Sequence, residues 1–301
     1  MRFTIFQDSR LGDRKGNEDR VGYSYGREVL MMCIADGMGG HQDGEIAAEI
    51  AVNTITRRFQ QEARNRLRKP PEFLVSAINA AHHAIVSYAV EKNLLECPRT
   101  TCVACIVQNG SAYWAHAGDS RLYLLRNGSL AAATSDHSRV QQMIESGALT
   151  PEQAARHPDR NKIFSCLGGV VPPQIAIGRE WVLETGDTLV LSTDGFWAQI
   201  PPALMGTMLK KQSVVELFPG LLTEAHRRAA GESDNLSVVA MTWEAQGDPN
   251  AADTTALDLE QFATSSNTEA LVPGKPSDDV TEEDIERAIA EIQDAIRKVP
   301  R

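Results

Sequence analysis

The sequence predicts an α+β fold built on antiparallel strands, and three observations predict it. Two continuously apolar runs, residues 29–35 and 188–192, end at Asp36-Gly37 and Asp194-Gly195, as strands buried on both faces would. The stretch 100–135 reads as a β-meander with Asn109-Gly110 and Asn127-Gly128 at its turns, pairs that suit tight hairpins of positive φ. Helix-period segments come in blocks, a pair before the meander and an inserted group after it.

In chain order, the first helix is expected over 44–68 and the second over 72–92, with Pro71 near its first turn. Their similar lengths predict an antiparallel pair. In the second, Leu74, Ala77, Ile78, Ala81, Ile85 and Tyr88 share one face, which leaves His82 and His83 on or beside the solvated side. The meander strands cover 102–107, 112–117 and 122–125. A helical flap follows over about 136–169: a helix from 138 to 145 stopped by Gly147, then a capping box at Thr150-Pro-Glu-Gln153. A last helix over 214–230 precedes a strand at 236–243, which starts directly after Asp234-Asn235.

Past residue 244 the composition shifts to Gly, Pro, Asn, Asp, Ser and Thr. The expected organisation is therefore a folded domain over 1–244, a flexible acidic linker over 245–279 and an amphipathic C-terminal helix over 280–301. Thr281-Glu-Glu-Asp caps that helix, and Ile285, Ile289, Ile292 and Ile296 form a narrow stripe. A helix this short is weakly stable alone, so it is expected to dock in cis, bind a partner or self-associate.

Charge narrows the function classes. Of the formal net charge of −10, residues 245–301 hold −8, with 13 acidic and 5 basic side chains. Neither part carries the Lys/Arg excess that attraction to nucleic acid or an anionic membrane needs. No signal-like block opens the chain and no stretch of about 20 apolar residues is expected to span a membrane, so the expected location is the cytoplasm. The five cysteines are expected to be buried thiols, with Cys102 and Cys105 on opposite faces of their strand.

The acidic turns carry the chemistry. Asn17-Glu18-Asp19, Asp36-Gly37, Gly118-Asp119-Ser120, Asp194-Gly195 and Asp234-Asn235 all stand where apolar runs meet turns. Six carboxylates, Glu18, Asp19, Asp36, Asp119, Asp194 and Asp234, exceed what one monovalent partner would neutralise. Two or more divalent ions fit better, and the absence of His and Cys from the turns favours magnesium or manganese over zinc.

Arg14-Lys-Gly-Asn-Glu-Asp19, Ala35-Asp-Gly-Met-Gly-Gly-His41, Gly118-Asp-Ser-Arg121, Ser192-Thr-Asp-Gly195 and Ser233-Asp-Asn235, in this order, resemble the motifs of the metal-dependent protein phosphatases, the type 2C family. The resemblance spans about residues 1–244. In the flap, Asp136-His-Ser138, His157-Pro158 and Arg160-Asn161 are similar to the bacterial members. It implies a central antiparallel β-sandwich flanked by helices on both faces, with metals in a channel at one end. It further implies that Asp36 bridges two manganese or magnesium ions, that Gly37 offers its carbonyl, and that Asp194 and Asp234 complete the cluster. Glu18 and Asp19 would act through metal-bound water. Asp119 and Asp194 match the positions that hold a third ion in bacterial relatives.

The implied reaction is hydrolysis of phosphoserine and phosphothreonine by water held between two metals, opposing a Ser/Thr kinase. Arg14 matches the phosphate-binding arginine, suited to hold two phosphoryl oxygens. Met38 stands where eukaryotic relatives often have a histidine suspected of protonating the leaving oxygen, so no general acid is assigned. Two alternatives are weighed: a phosphatase acting on small-molecule phosphoesters, and a phosphoprotein-binding pseudo-phosphatase scaffold. Nucleotide binding by Gly37-Met-Gly-Gly40 is disfavoured, because no Lys-Ser/Thr follows to complete a P-loop.

Overall fold

The computed structural model describes residues 1–38, 43–63, 65–154, 156–245 and 263–266. In chain order the elements are β1 (Arg2–Arg10), β2 (Asp19–Tyr25), β3 (Val29–Met38), α1 (Asp43–Glu62), α2 (Pro70–Glu91), β4 (Arg99–Thr100), β5 (Cys102–Gln108), β6 (Ser111–Ala117), β7 (Arg121–Arg126) and β8 (Ser129–Ala133). Then come α3 (Arg139–Glu145), α4 (Pro151–Ala154), β9 (Ala176–Ile177), β10 (Trp181–Val182), β11 (Thr188–Ser192), α5 (Asp194–Trp197), α6 (Pro202–Leu209), α7 (Val214–Arg228), β12 (Leu236–Ala245) and β13 (Ala263–Ser266). One sheet runs β1-β12-β11-β7-β8 and the other β10-β6-β5-β3-β2-β13, with β4 beside β3 and β9 beside β6. Every pairing is antiparallel.

Strand alternation sorts the apolar side chains into three layers. On β3, Leu30, Met32 and Ile34 face the other sheet, where Leu122, Leu124, Leu189, Leu191, Val239 and Met241 meet them. The intervening Val29, Met31, Cys33 and Ala35 face outward, under Ala47, Ala51, Ile55 and Phe59 of α1 and Leu74, Ile78 and Ile85 of α2. The opposite sheet is covered in the same way by α5, α6 and α7, through Phe196, Met205, Phe218 and Leu222. The fold is thus the expected α+β sandwich flanked by helices on both faces. At about 1.5–3 kcal/mol for each large apolar side chain removed from water, these three clusters supply most of the driving force.

Local chemistry explains the joints. Asn109 and Asn127 adopt φ of 53° and 52°, each followed by a left-handed glycine, as the two hairpins require. Ser138 caps α3 by accepting from Gln141 N at 3.3 Å, and Thr150 and Gln153 exchange the two bonds of a capping box. Cys102 packs under the helices and Cys105 inside the sandwich, the opposite faces that alternation predicts.

Several expectations need correction. α1 ends at Glu62 and α2 begins at Pro70, so the first helix is shorter than 44–68. His82 is 4% exposed, not solvated: its Nδ1 accepts from Gly168 N at 3.1 Å, because the segment leaving the flap folds onto α2. α2 also has the length and composition to cross a membrane, at 22 residues and mean hydropathy 1.4, yet it is a core helix whose Leu74, Ala77, Ile78, Ala81 and Ile85 are fully buried. Residues 263–266, inside the expected linker, pair with β2, whose edge would otherwise leave backbone groups unpaired. The expected helix over 280–301 lies outside the described residues, as do Gly39, Gly40 and His41.

Candidate metal centre

The strands that fill the sandwich also deliver the carboxylates. Asp36 continues the face of Leu30, Met32 and Ile34 by two residues, where β3 runs out of the apolar layer. Asp19 stands opposite it in register on β2. On the facing sheet, Ser192 pairs with both Arg121 and Val238. That register puts the end of β11, the start of β7 and the start of β12 together. Asp194, Asp119 and Asp234 are the residues just past those three ends.

Asparagine side chains build the loop that carries Arg14 and Glu18. Asn235 donates to the carbonyls of Leu11 (2.8 Å) and Gly16 (3.0 Å) and accepts from Glu18 N (2.9 Å). Asn17 donates to Ser9 Oγ at 2.8 Å and accepts from Asp19 N at 3.0 Å. Gly12, at φ +63°, lets the chain pass against the Asp234 carbonyl where any side chain would collide. Gly37 has a related role: a Cβ there would strike the backbone of Gly44, while Gly37 N donates to Glu18 O at 3.1 Å. The glycine brings β3, the Glu18 loop and the first turn of α1 into contact.

These elements surround a cavity of about 960 Å³ lined by Arg14, Glu18, Asp36, Gly37, Asp119, Asp194 and Asp234. Asp19 is set apart, buried at 1% exposure behind the wall, with Oδ2 accepting from Thr193 Oγ1 at 2.8 Å. Burial pushes the Asp19 carboxyl up to about 7, against hydrogen bonds from Ser237 and Thr193 that lower it. Burial likewise raises Asp119 to about 7 and Asp194 to about 6, with repulsion from Asp194 and Asp234 respectively next in size. Asp36 is raised well above the ordinary range by burial first and then by Asp19, Asp194, Asp119 and Asp234. Glu18 is raised by burial.

Carboxylates crowded this way are stable as anions only beside concentrated positive charge. Arg14 supplies one positive group at the mouth, 2.7 Å from Asp234 Oδ2, and that bond raises its own pKa. Arg14 and Lys15 do not balance the seven acids that line the cavity, Asp13, Glu18, Asp36, Glu45, Asp119, Asp194 and Asp234, and these acids offer hard oxygens, so the site fits magnesium or manganese. Among the described residues no three His, Cys, Asp or Glu side chains close on a common point.

Sequence reasoning missed part of the wall. Lys15, Glu45, Thr101, Ile163 and Asn235 also line the cavity, with Asn161 from the flap. Lys15 and Asn235 sat inside motifs already singled out, whereas Thr101 and Glu45 carry no local signal. Thr101 is a hub: its Oγ1 accepts from Asp36 N at 3.1 Å and lies 2.7 Å from Ser120 Oγ.

The flap is anchored beside Asp119. Arg121 makes a bidentate pair with Asp136, 2.8 Å on each side, and stacks 3.5 Å over Trp197, whose Nε1 donates to Asp119 O at 2.9 Å. His137 N donates to Gly118 O and its carbonyl accepts from Phe164 N, its Nδ1 accepts from Gly118 N at 3.3 Å, and its ring stacks on His116 at 4.7 Å. Burial pushes its pKa down to about 4, as expected of a neutral structural histidine.

A family model described as protein phosphatase 2C matches residues 7–241. The serine/threonine phosphatase stp of Listeria welshimeri is 32% identical over 238 residues, covering 78% of this chain and 93% of that protein. The solved serine/threonine phosphatase of S. agalactiae superposes with a TM-score of 0.74 at 28% identity, covering 81% of this chain and all of that one. A structure of the PstP catalytic domain in complex with two manganese ions superposes with a TM-score of 0.68 at 29% identity, covering 81% and 99%.

Proposed function

Because the chain belongs to the protein phosphatase 2C family, a family of metal-dependent hydrolases using manganese or magnesium, we propose that it hydrolyses phosphoserine and phosphothreonine on proteins at a centre of two or three such ions. The observation that carries this reading is the convergence of Asp36, Asp119, Asp194 and Asp234 from separate strand ends on one cavity, with Arg14 at its mouth. The substrates are products of a Ser/Thr kinase, and the chain acts in the cytoplasm. Residues 1–244 carry the activity, while the acidic tail and its amphipathic segment serve docking, in cis or on a partner.

When bound, the ions supply an activated water and neutralise charge on the phosphoryl oxygens. Asp36, Asp194 and Asp234, with the Gly37 carbonyl, would hold them, and Asp119 would add a further carboxylate beside Asp194. Glu18 and the buried Asp19 tune the site through their charge and through water. Arg14 is more than half exposed and free to turn from Asp234 toward a phosphate, whose oxygens its planar guanidinium grips in pairs. Met38 lines the cavity and its thioether transfers no proton, and no histidine stands among the described lining residues, so no general acid is assigned. The retained carboxylates argue for an active enzyme rather than a binding scaffold.

The test is phosphate release by the full chain from phosphoserine and phosphothreonine peptides and from metabolite phosphates, with manganese and after chelation. Metal-dependent turnover that favours the peptides is expected. Undiminished turnover after thorough chelation, or preference for the metabolites, would overturn the corresponding part of the reading.

A further inference from the structure

The metal-centre reading leaves one buried cation without a role. Arg20 follows Asp19 on β2, is 7% exposed and lines no part of the cavity. Its Nη1 donates to the carbonyl oxygens of Asn17 at 2.8 Å and Asp19 at 2.9 Å, the two residues flanking Glu18. Its Nη2 pairs with the carboxylate of Glu45, in the first turn of α1. Among the described residues its Nε has no hydrogen-bond partner. A buried guanidinium with an unmet donor is costly, so a fold that keeps one gains something that a hydrophobic residue would not provide.

The geometry identifies that gain. Gripping the carbonyls on both sides of Glu18 fixes the backbone from which Glu18 and Asp19 project. The second nitrogen ties that backbone to α1, whose Gly44 packs so closely on the Glu18 carboxylate that a Cβ there would collide with it. We propose that Arg20 is a positioning residue for the metal centre, clamping the Asn17–Asp19 segment to the first turn of α1 through Glu45 so that Glu18 and Asp19 are held in place before any ion arrives. Groups that orient metal-binding side chains without touching the ion typically matter 10- to 100-fold for affinity. Lysine cannot replace the clamp, because a point charge lacks the fork that spans two carbonyls and a carboxylate.

The inference rests on the metal-centre reading, and its test is calorimetric so that the two fail separately. The full chain is stripped of metal and titrated with manganese chloride alone, beside Arg20→Lys, Glu45→Gln and the double variant. Arg20→Lys is expected to weaken manganese binding by about 10- to 100-fold, with a deficit in phosphopeptide turnover that shrinks as manganese is raised. Glu45→Gln should shift affinity the same way by less, and the double variant should fall short of the product of the two. Manganese affinity unchanged in Arg20→Lys despite a lower melting temperature would make Arg20 merely structural and overturn the proposal. Independent effects in the double variant would do the same. Should Arg20→Lys fail to fold, unchanged affinity in Glu45→Gln overturns it. Tight manganese binding without phosphopeptide turnover would count against the functional reading and leave the clamp to be judged on affinity alone.

Discussion

The sandwich interior and its carboxylate end are made by the same strands, yet they follow opposite rules. Along β3 the same face carries Leu30, Met32 and Ile34, which exclude water, and then Asp36, which needs a charge partner. On β2 the step is from Val21 to Asp19. The apolar stretch contributes stability, and its rigidity is what the acidic end uses to hold like charges close together. Sites built on strand ends hold their geometry better than sites on free loops.

The two ends should therefore respond to mutation in opposite ways. Asp36→Asn should lower phosphopeptide turnover by a factor on the order of 10³ or more, as for other groups that act together in a catalytic unit. The metal-stripped variant should nevertheless melt higher than the parent, because it lacks a buried carboxyl that must either stay charged among like charges or hold a proton. A lower melting temperature for that variant would break the contrast. Leu189→Ala, at a fully buried position of the interior, should cost about 2–5 kcal/mol of stability by denaturant unfolding and leave turnover per folded molecule near the parent value.

Metal and pH sharpen the same contrast. With Asp19 and Asp119 raised to about 7, the folded metal-free chain binds more protons than the unfolded chain between about pH 4 and 7. Its stability should fall as pH rises through that window. Manganese requires the ionised carboxylates, so the increase in melting temperature it causes should grow over the same range. Thermal melts at about pH 5.5 and 7.5, with and without manganese, check both signs.

A smaller effect is expected at the flap. His137 is held neutral with its pKa lowered to about 4, so the unfolded state takes up its proton first as pH falls below about 6.5. The stability it lends is present above that pH and is lost as the pH drops toward 4. Protection against amide exchange in 136–169, relative to the intrinsic rate at each pH, should therefore fall in acid before that of the sandwich does. His137→Gln should flatten that dependence.

Much of this was legible in the sequence because strands and turns are locally encoded. The apolar runs before Asp36 and Asp194, the two Asn-Gly hairpins and the α3 cap all depend on neighbours in the chain. So do the turn motifs of the eight expected site residues, seven of which line the cavity while Asp19 lies behind its wall. What escaped depends on contacts between distant segments. His82 looked solvated until the Gly168 segment closed over α2, and Thr101 gives no sign in its own run that it will receive the Asp36 amide. Arg20 carries no signal in its own run, since only the fold brings Glu45 to it.

The most direct test of the central claim is anomalous diffraction at the manganese edge from crystals of the full chain soaked in manganese. At least two peaks are expected in the cavity, within coordinating distance of Asp36, Asp194 and Asp234 and beside the Gly37 carbonyl. Peaks confined to the surface, or none in a cavity open to solvent, would contradict the account.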